Sequence, residues 1–234
     1  MNLHAVLALD TSTEQCSVAL KVGDKVVSRA AITPREHSQR ILGFVQEVLD
    51  EQNIKLADVN ALVVGHGPGS FTGVRIGVSI AQGLAFSHTL PVFPVSTLTA
   101  LAQQAIRKHD TQVVISAIDA RMQEVYVAPF RNVQGMAEQV APEQMAPLAD
   151  MSAQPWWTEV AGVGEVMGAG TGWQAYADAL NPAQQVTVLD EVTLPLAEDM
   201  LHWALVHGKA VDAADLEPLY VRNEVAWKKL PGRE

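Results

Sequence analysis

Cysteine, positive charge and long apolar runs are scarce in this 234-residue sequence, and each scarcity excludes a class of protein. Cys16 stands alone, so no internal disulfide can form; a single small thiol on a strand suits a reducing compartment. Charged residues, glycines or prolines interrupt every apolar run well short of the roughly 18 residues that a membrane span needs. MNLHAVLALDTS opens directly on an apolar strand, without a basic leader or a small-residue cleavage site, and the expected location is the cytoplasm. Lys and Arg number 16 against 26 Asp and Glu, a formal charge of -10, which repels phosphate backbones. If RNA is engaged, another protein should do most of the holding.

Several catalytic signatures are missing too. No Gly-Lys-Ser/Thr occurs, so there is no P-loop, and HExxH is absent. Ser70 lies among glycines, but Gly69 directly precedes it, so the GxSxG pattern of a serine hydrolase is not made. His37 is followed four residues later by Ile41, and His66 stands alone; hydrogen-bonded histidines explain both better than a metal site.

What is present is the alternation of an α/β protein with 48% hydrophobic residues. HAVLALD, CSVALKV and KVVSRAAI read as a three-stranded antiparallel meander. Thr33-Pro34-Arg35-Glu36 offers a cap, a first-turn proline and an acid, predicting a helix from about Pro34 to Gln52 with Ile41, Val45, Val48 and Leu49 on its apolar face. ALVVGHGPG followed by GVRIGVSIAQGLAFS predicts a strand, a glycine turn and a helix. Ser96 is placed to cap a helix through about Arg107, and QVVISAID, ARMQ and EVYVAPF predict a second hairpin. From Phe130 to Trp157 the pattern dissolves into what reads as surface connection. Beyond it lie a strand entering GAGTG, a short helix from Trp173 to Leu180, a closing helix over Pro195 to His207 and an aperiodic tail.

The two hairpins share one grammar. VLALD-TSTEQC-SVALK and VVISAID-ARMQE-VYVAPF are each a buried strand, a terminal Asp, a polar turn and a returning strand. The echo predicts two related lobes, placed at residues 1–110 and 111–234. Asp10, Thr11 and Ser12 could present a carboxylate and hydroxyls to a metal-phosphate, with Asp119 facing them from the other lobe and Gly168 and Gly170 forming an adenine-side loop. Strand-end acids and glycine turns are equally common as purely structural devices, and both readings stand at this level.

LALDTST, REHSQRI, GPGSFTGVRIG and DARMQEVY, in that order, resemble the TsaB (YeaZ) family over the whole length of the chain. The resemblance implies an actin/hexokinase-like, ribonuclease H-related fold of two lobes, with mixed sheets flanked by helices. It implies a non-catalytic scaffold of a tRNA-modifying assembly, with no catalytic or metal residue of its own. The paralogue TsaD would transfer threonylcarbamoyl to an anticodon-loop adenosine, and the small ATPase TsaE would join. In TsaD a pair of histidines spaced HxxxH binds metal; here Ile41 stands in the second position, which argues for a pseudoenzyme. The family's partner face maps onto the two early helices and gives the contact set Arg35, Ile41, Phe44, Val45, Val48, Arg75, Ile76, Ser79 and Gly83. Alone, the chain is expected to form a homodimer through the same face. No cofactor is expected beyond an ATP or ADP at the partner junction, in a site that is vestigial if it involves Asp10, Thr11, Ser12, Gly168 and Gly170. The rival expectations are a residual ATPase or kinase and, third, a glycopeptidase-like protease.

Overall fold

A computed structural model describes residues 3–221. The chain opens with the expected meander: β1 (Ala5–Asp10), β2 (Gln15–Val22) and β3 (Lys25–Ile32) pair antiparallel in sequence. All six residues of β1 are buried, as a central strand covered on both faces requires. Helix α1 (His37–Glu51) follows, then β4 (Ala61–Gly65), α2 (Phe71–His88), β5 (Val92–Val95) and α3 (Thr97–His109). β4 and β5 join parallel beside β1, giving the order β3-β2-β1-β4-β5.

The second half repeats this plan. β6 (Val113–Arg121), β7 (Glu124–Val133) and β8 (Met136–Gln139) form a meander, and β9 (Gln144–Pro147) pairs with the start of β7. After a short α4 (Trp157–Val160) come β10 (Val166–Ala169), α5 (Thr171–Leu180), β11 (Val186–Val188) and α6 (Ala197–His207). The sheet order β8-β7-β6-β10-β11, with the last two strands parallel, matches the first sheet strand for strand. Two units of one plan in tandem are the related lobes that the echo of hairpins predicts, and they agree with the actin/hexokinase-like, ribonuclease H-related fold that the family resemblance implies.

Three sequence expectations need correction. The first helix starts at His37, because Arg35 takes φ +70° and breaks the turn; neither Thr33 nor Glu36 caps it, and Thr33 Oγ1 instead meets His37 Nδ1 at 3.3 Å. Residues 131–157 are more than surface connection: they supply β8 and β9, lead into α4 and bury Met136, Met151 and Trp156. The division at 110/111 separates the two sheets but not their packing. Helix α3 leaves the first sheet and packs on the second, while α6 leaves the second and packs on the first.

This exchange is sealed by polar contacts as well as by apolar ones. The buried Gln103 amide donates to Gly135 O at 2.9 Å and its carbonyl accepts from Ala137 N at 2.9 Å, closing the β7–β8 turn onto α3. Arg107 on α3 reaches Asp199 on α6 through two hydrogen bonds, at 2.7 and 3.1 Å, and the Asp199 side chain is fully buried. Burial raises the Asp199 carboxyl above its ordinary value, against the pull of the Arg107 guanidinium. Arg107→Ala would leave that acid without a counter-charge and should cost about 3 kcal/mol, low in the range for a buried pair since Arg107 keeps some contact with water. Because the Asp199 carboxyl is raised by burial, the loss should shrink as pH falls, a trend that urea titrations over a descending pH series would read.

Candidate functional site

The interlobe cleft is the largest cavity among the described residues, about 980 Å³, and it is built from both strand-end turns and both glycine loops. On the first side β1 delivers Asp10, Thr11 and Ser12, all completely buried. Thr11 Oγ1 donates to Gly73 O at 2.7 Å, Ser12 Oγ accepts from Thr97 Oγ1 at 3.1 Å, and Ser70 N donates to Ser12 O at 2.7 Å. The glycines are consumed by this docking. A Cβ at Gly69 would overlap Ser12 O, one at Gly73 would overlap Thr11 O, and one at Gly77 would come within 2.8 Å of Thr11 Oγ1. Thus GPGSFTGVRIG is lacking in side chains because the backbone of the β1 turn lies directly on it.

Asp10 turns away from the cleft. A Cβ on Gly65 would overlap its Oδ1, with the Met200 methyl alongside; Oδ1 accepts from Ser12 N at 3.2 Å and Oδ2 has no partner among the described residues. Burial pushes this carboxyl up to about 6, with the Ser12 hydrogen bonds opposing.

The second side repeats the device. Gly170, at φ +108°, would overlap Ala117 O with any Cβ, and a Cβ on Gly168 would fall 2.8 Å from the Trp173 indole, whose Nε1 donates to Ile115 O at 2.8 Å. Neither glycine lines the cleft; Thr171 does, its Oγ1 accepting from Asp119 N at 3.2 Å. Asp119 faces the cleft as expected, but Arg121 neutralises it at 2.9 Å and Tyr176 OH donates to it at 3.1 Å. Arg121 also reaches Glu14 of the first lobe at 3.4 Å.

The structure therefore does not bring Asp10 and Asp119 together as a pair of phosphate or metal acids. Asp10, Thr11, Ser12, Gly168 and Gly170 hold the lobes' backbones in place and leave little for an adenine nucleotide to bind, so the donor set does not fit that cofactor in this chain by itself. No group of three or more His, Cys, Asp or Glu suited to a metal occurs among the described residues. Ile41, four residues after His37, is fully buried. Ser70 Oγ accepts from Gly73 N at 3.3 Å as a helix cap, and no hydrogen bond links it to a histidine. His66 Nδ1 lies 3.2 Å from Glu217 O, and burial keeps its imidazole below the usual range.

Exposed apolar side chains are found instead on α1 and α2. Gly73, Val74, Gly77, Val78, Ala81 and Ala85 turn α2 inward, leaving Phe71 and Phe86 on the outside at 71% and 82% exposure. Ile76 and Ser79 line a shallow groove of about 380 Å³ with Phe71, Arg75 and Ser38 of α1. Of the nine expected contacts, Arg35, Arg75, Ile76, Ser79 and Gly83 lie at or near the surface. Ile41, Phe44, Val45 and Val48 are instead buried in the chain's own core beneath α1. Leu42, at 50% exposure, presents that helix's outer side. Sequence reading missed Phe71 and Phe86, whose only signal is that they are large aromatics off the helical apolar stripe. It also missed the bracket in which the Arg75 guanidinium lies 3.3 Å from the Phe71 ring centroid and donates to Tyr220 OH at 2.6 Å.

Comparison with known proteins followed. The family model described as TsaD: tRNA N6-adenosine threonylcarbamoyltransferase matches residues 26–203. The tRNA threonylcarbamoyladenosine biosynthesis protein TsaB of Escherichia coli K12 is 44% identical, over 98% of this chain and 99% of its own length. The protein of the same description from Haemophilus influenzae is 40% identical over 98% of both. The crystal structure of a Pseudomonas aeruginosa protein described as similar to the peptidase YeaZ superposes with TM-score 0.85 at 42% identity, covering 93% of this chain and 99% of that one.

The Asp10 environment predicts a pH signature. The folded chain holds a proton on Asp10 that the unfolded chain releases near 3.8, so this group's stabilising contribution is complete below 3.8 and is lost as pH rises through about 6. Asp10→Asn should raise stability at pH 7.5, by on the order of 2 kcal/mol, and flatten the stability profile between pH 4 and 7. Thermal melts of both proteins across that range test it. Gly69→Ala, which forces a methyl against Ser12 O, should cost about 2 kcal/mol or more in the same assay.

Proposed function

The chain belongs to the TsaB family, and from that premise we propose that it is a non-catalytic scaffold in tRNA threonylcarbamoyladenosine biosynthesis, docking on TsaD through the outer face of α1 and α2. The observation that carries the reading is a contrast within one molecule. The cleft that an actin-like enzyme would use has its acids buried or neutralised and its glycines packed away. Meanwhile α2 exposes Phe71 in a groove lined by Ile76 and, toward its other end, Phe86, apolar surface of the sort that a related subunit covers.

On this reading the chain shapes the TsaD active site, TsaE joins the assembly, and tRNA is met through the complex. A charge of -10 suits a subunit that leaves the phosphate backbone to others. Any ATP or ADP is held at the junction with TsaD, where the partner supplies what the cleft of this chain lacks. Without TsaD the same face pairs with a second copy, which hides the patch. The location is cytoplasmic, and no helix among the described residues is long and apolar enough to cross a membrane. The ATPase and glycopeptidase readings draw no support from the paired Asp119 or the capping Ser70.

Mixing the chain with its cognate TsaD and following sedimentation tests the pairing; a failure to associate, or normal tRNA modification in cells lacking this protein, rejects it. Ile76→Glu should weaken association about 30-fold or more while leaving the isolated fold intact, since Ile76 is only partly buried. Gly83→Ala meets open space in this chain and should stabilise α2 by up to about 1 kcal/mol in melts, yet weaken pairing if the partner helix approaches there.

A further inference from the structure

A second cavity, of about 660 Å³, is lined from both lobes, and neither the cleft nor the α1–α2 face accounts for it. Pro94 and the neutral His66 come from the first lobe, Phe130 and Glu143 from the second, and Trp203 from α6. The Trp203 indole is fixed, since its Nε1 donates to Ala137 O at 2.8 Å. Ser96 caps α3 by accepting from Leu98 N at 3.1 Å, and its hydroxyl is hydrogen-bonded to the Glu143 carboxyl. The other oxygen, Glu143 Oε2, is buried and has no hydrogen-bond partner among the described residues. Among the described residues no lysine or arginine lines the cavity.

A carboxyl in a pocket walled by aromatic and proline rings is costly to ionise, and the Ser96 hydroxyl leaves Oε2 without a donor among the described residues. An anion would meet Glu143, and one carboxylate is too few ligands for a metal. A planar cation satisfies both parts of the site: two N–H donors meet a carboxylate side by side, and its flat face stacks on an indole. We propose that this cavity binds an amidinium or guanidinium group, with Glu143 as its counter-ion and Trp203, Phe130 and Pro94 around its stem. The inference stands apart from the docking reading, because none of these residues lies on α1 or α2.

Glu143 gives the site a pH dependence. Burial pushes its carboxyl up to about 7, with the Ser96 hydrogen bond opposing. The other titratable side chains lining the cavity are His66, which burial keeps neutral, and the Tyr220 phenol. Amidinium stays charged throughout this range, so binding should tighten about tenfold from pH 6 to pH 8 as Glu143 loses its proton.

Benzamidine titrated calorimetrically into the full-length protein at both pH values is the direct test, and it needs no variant. The expected result is saturable binding, about tenfold tighter at pH 8, reduced at least tenfold in Glu143→Gln while that variant still melts in one cooperative transition at both pH values. Equal binding of the neutral isostere benzamide, a pH-independent affinity, full retention in Glu143→Gln, or no binding at all would each overturn the proposal. N-acetylarginine amide separates the sources. Glu143-dependent binding tighter than that of benzamidine assigns the pocket to an arginine of a protein, and the reverse order assigns it to a small amidine.

Discussion

Each lobe is completed by a helix that the other lobe's sheet sends out. Helix α3 runs from β5 onto the second sheet and α6 runs from β11 onto the first, so neither sheet buries its inner face until both halves have been made. The two helices meet at Arg107 and Asp199, a pair whose acid is sealed from water. Everything else is fixed relative to this crossing: the cleft lies between the strand-end turns on one side, and the Glu143 cavity sits where α3 begins and α6 passes. Because the exchange is reciprocal, opening the cleft widely would strip apolar surface from both sheets at once.

Within that frame the same close contact was used twice. Gly69 against Ser12 O and Gly170 against Ala117 O are equivalent approaches of a glycine loop to the turn or end of a central strand. In both lobes the space beside the glycines is filled by the protein's own backbone. The charged groups that line the cleft are Asp119, Arg121 and Glu14, with the one guanidinium bridging the two acids across the gap. Helix α2 turns small residues toward the sheet and leaves Phe71 and Phe86 exposed on its other side.

Much of this was readable beforehand wherever local chemistry and tertiary packing agree. The three-strand meanders, the Ser96 cap of α3 and the glycine-turn helix α2 are set by alternation, turn residues and capping, which act over a few positions. The start of α1 was misread because a favourable capping sequence lost to Arg35 in the left-handed region. Residues 131–157 were misread because short strands at a sheet edge have little periodicity to display. Apolar residues on α1 were assigned to a partner, but Ile41 and Val48 vanish into the core, since one helix face cannot say which of two neighbours will cover it.

The sequence by itself determined the two-lobed α/β plan, the absence of familiar catalytic signatures and the family, because strand and turn periodicity and a run such as GPGSFTGVRIG are local properties of the chain. Only the tertiary structure decided that Asp10 faces inward, that Asp119 is paired with Arg121, that Phe71 and Phe86 stay in water, and that Glu143 Oε2 is buried without a hydrogen-bond partner among the described residues. Those outcomes depend on which segments distant in sequence meet, as Ser12 meets Thr97 and Arg107 meets Asp199. Burial, and with it charge, is a property of that meeting and not of either residue.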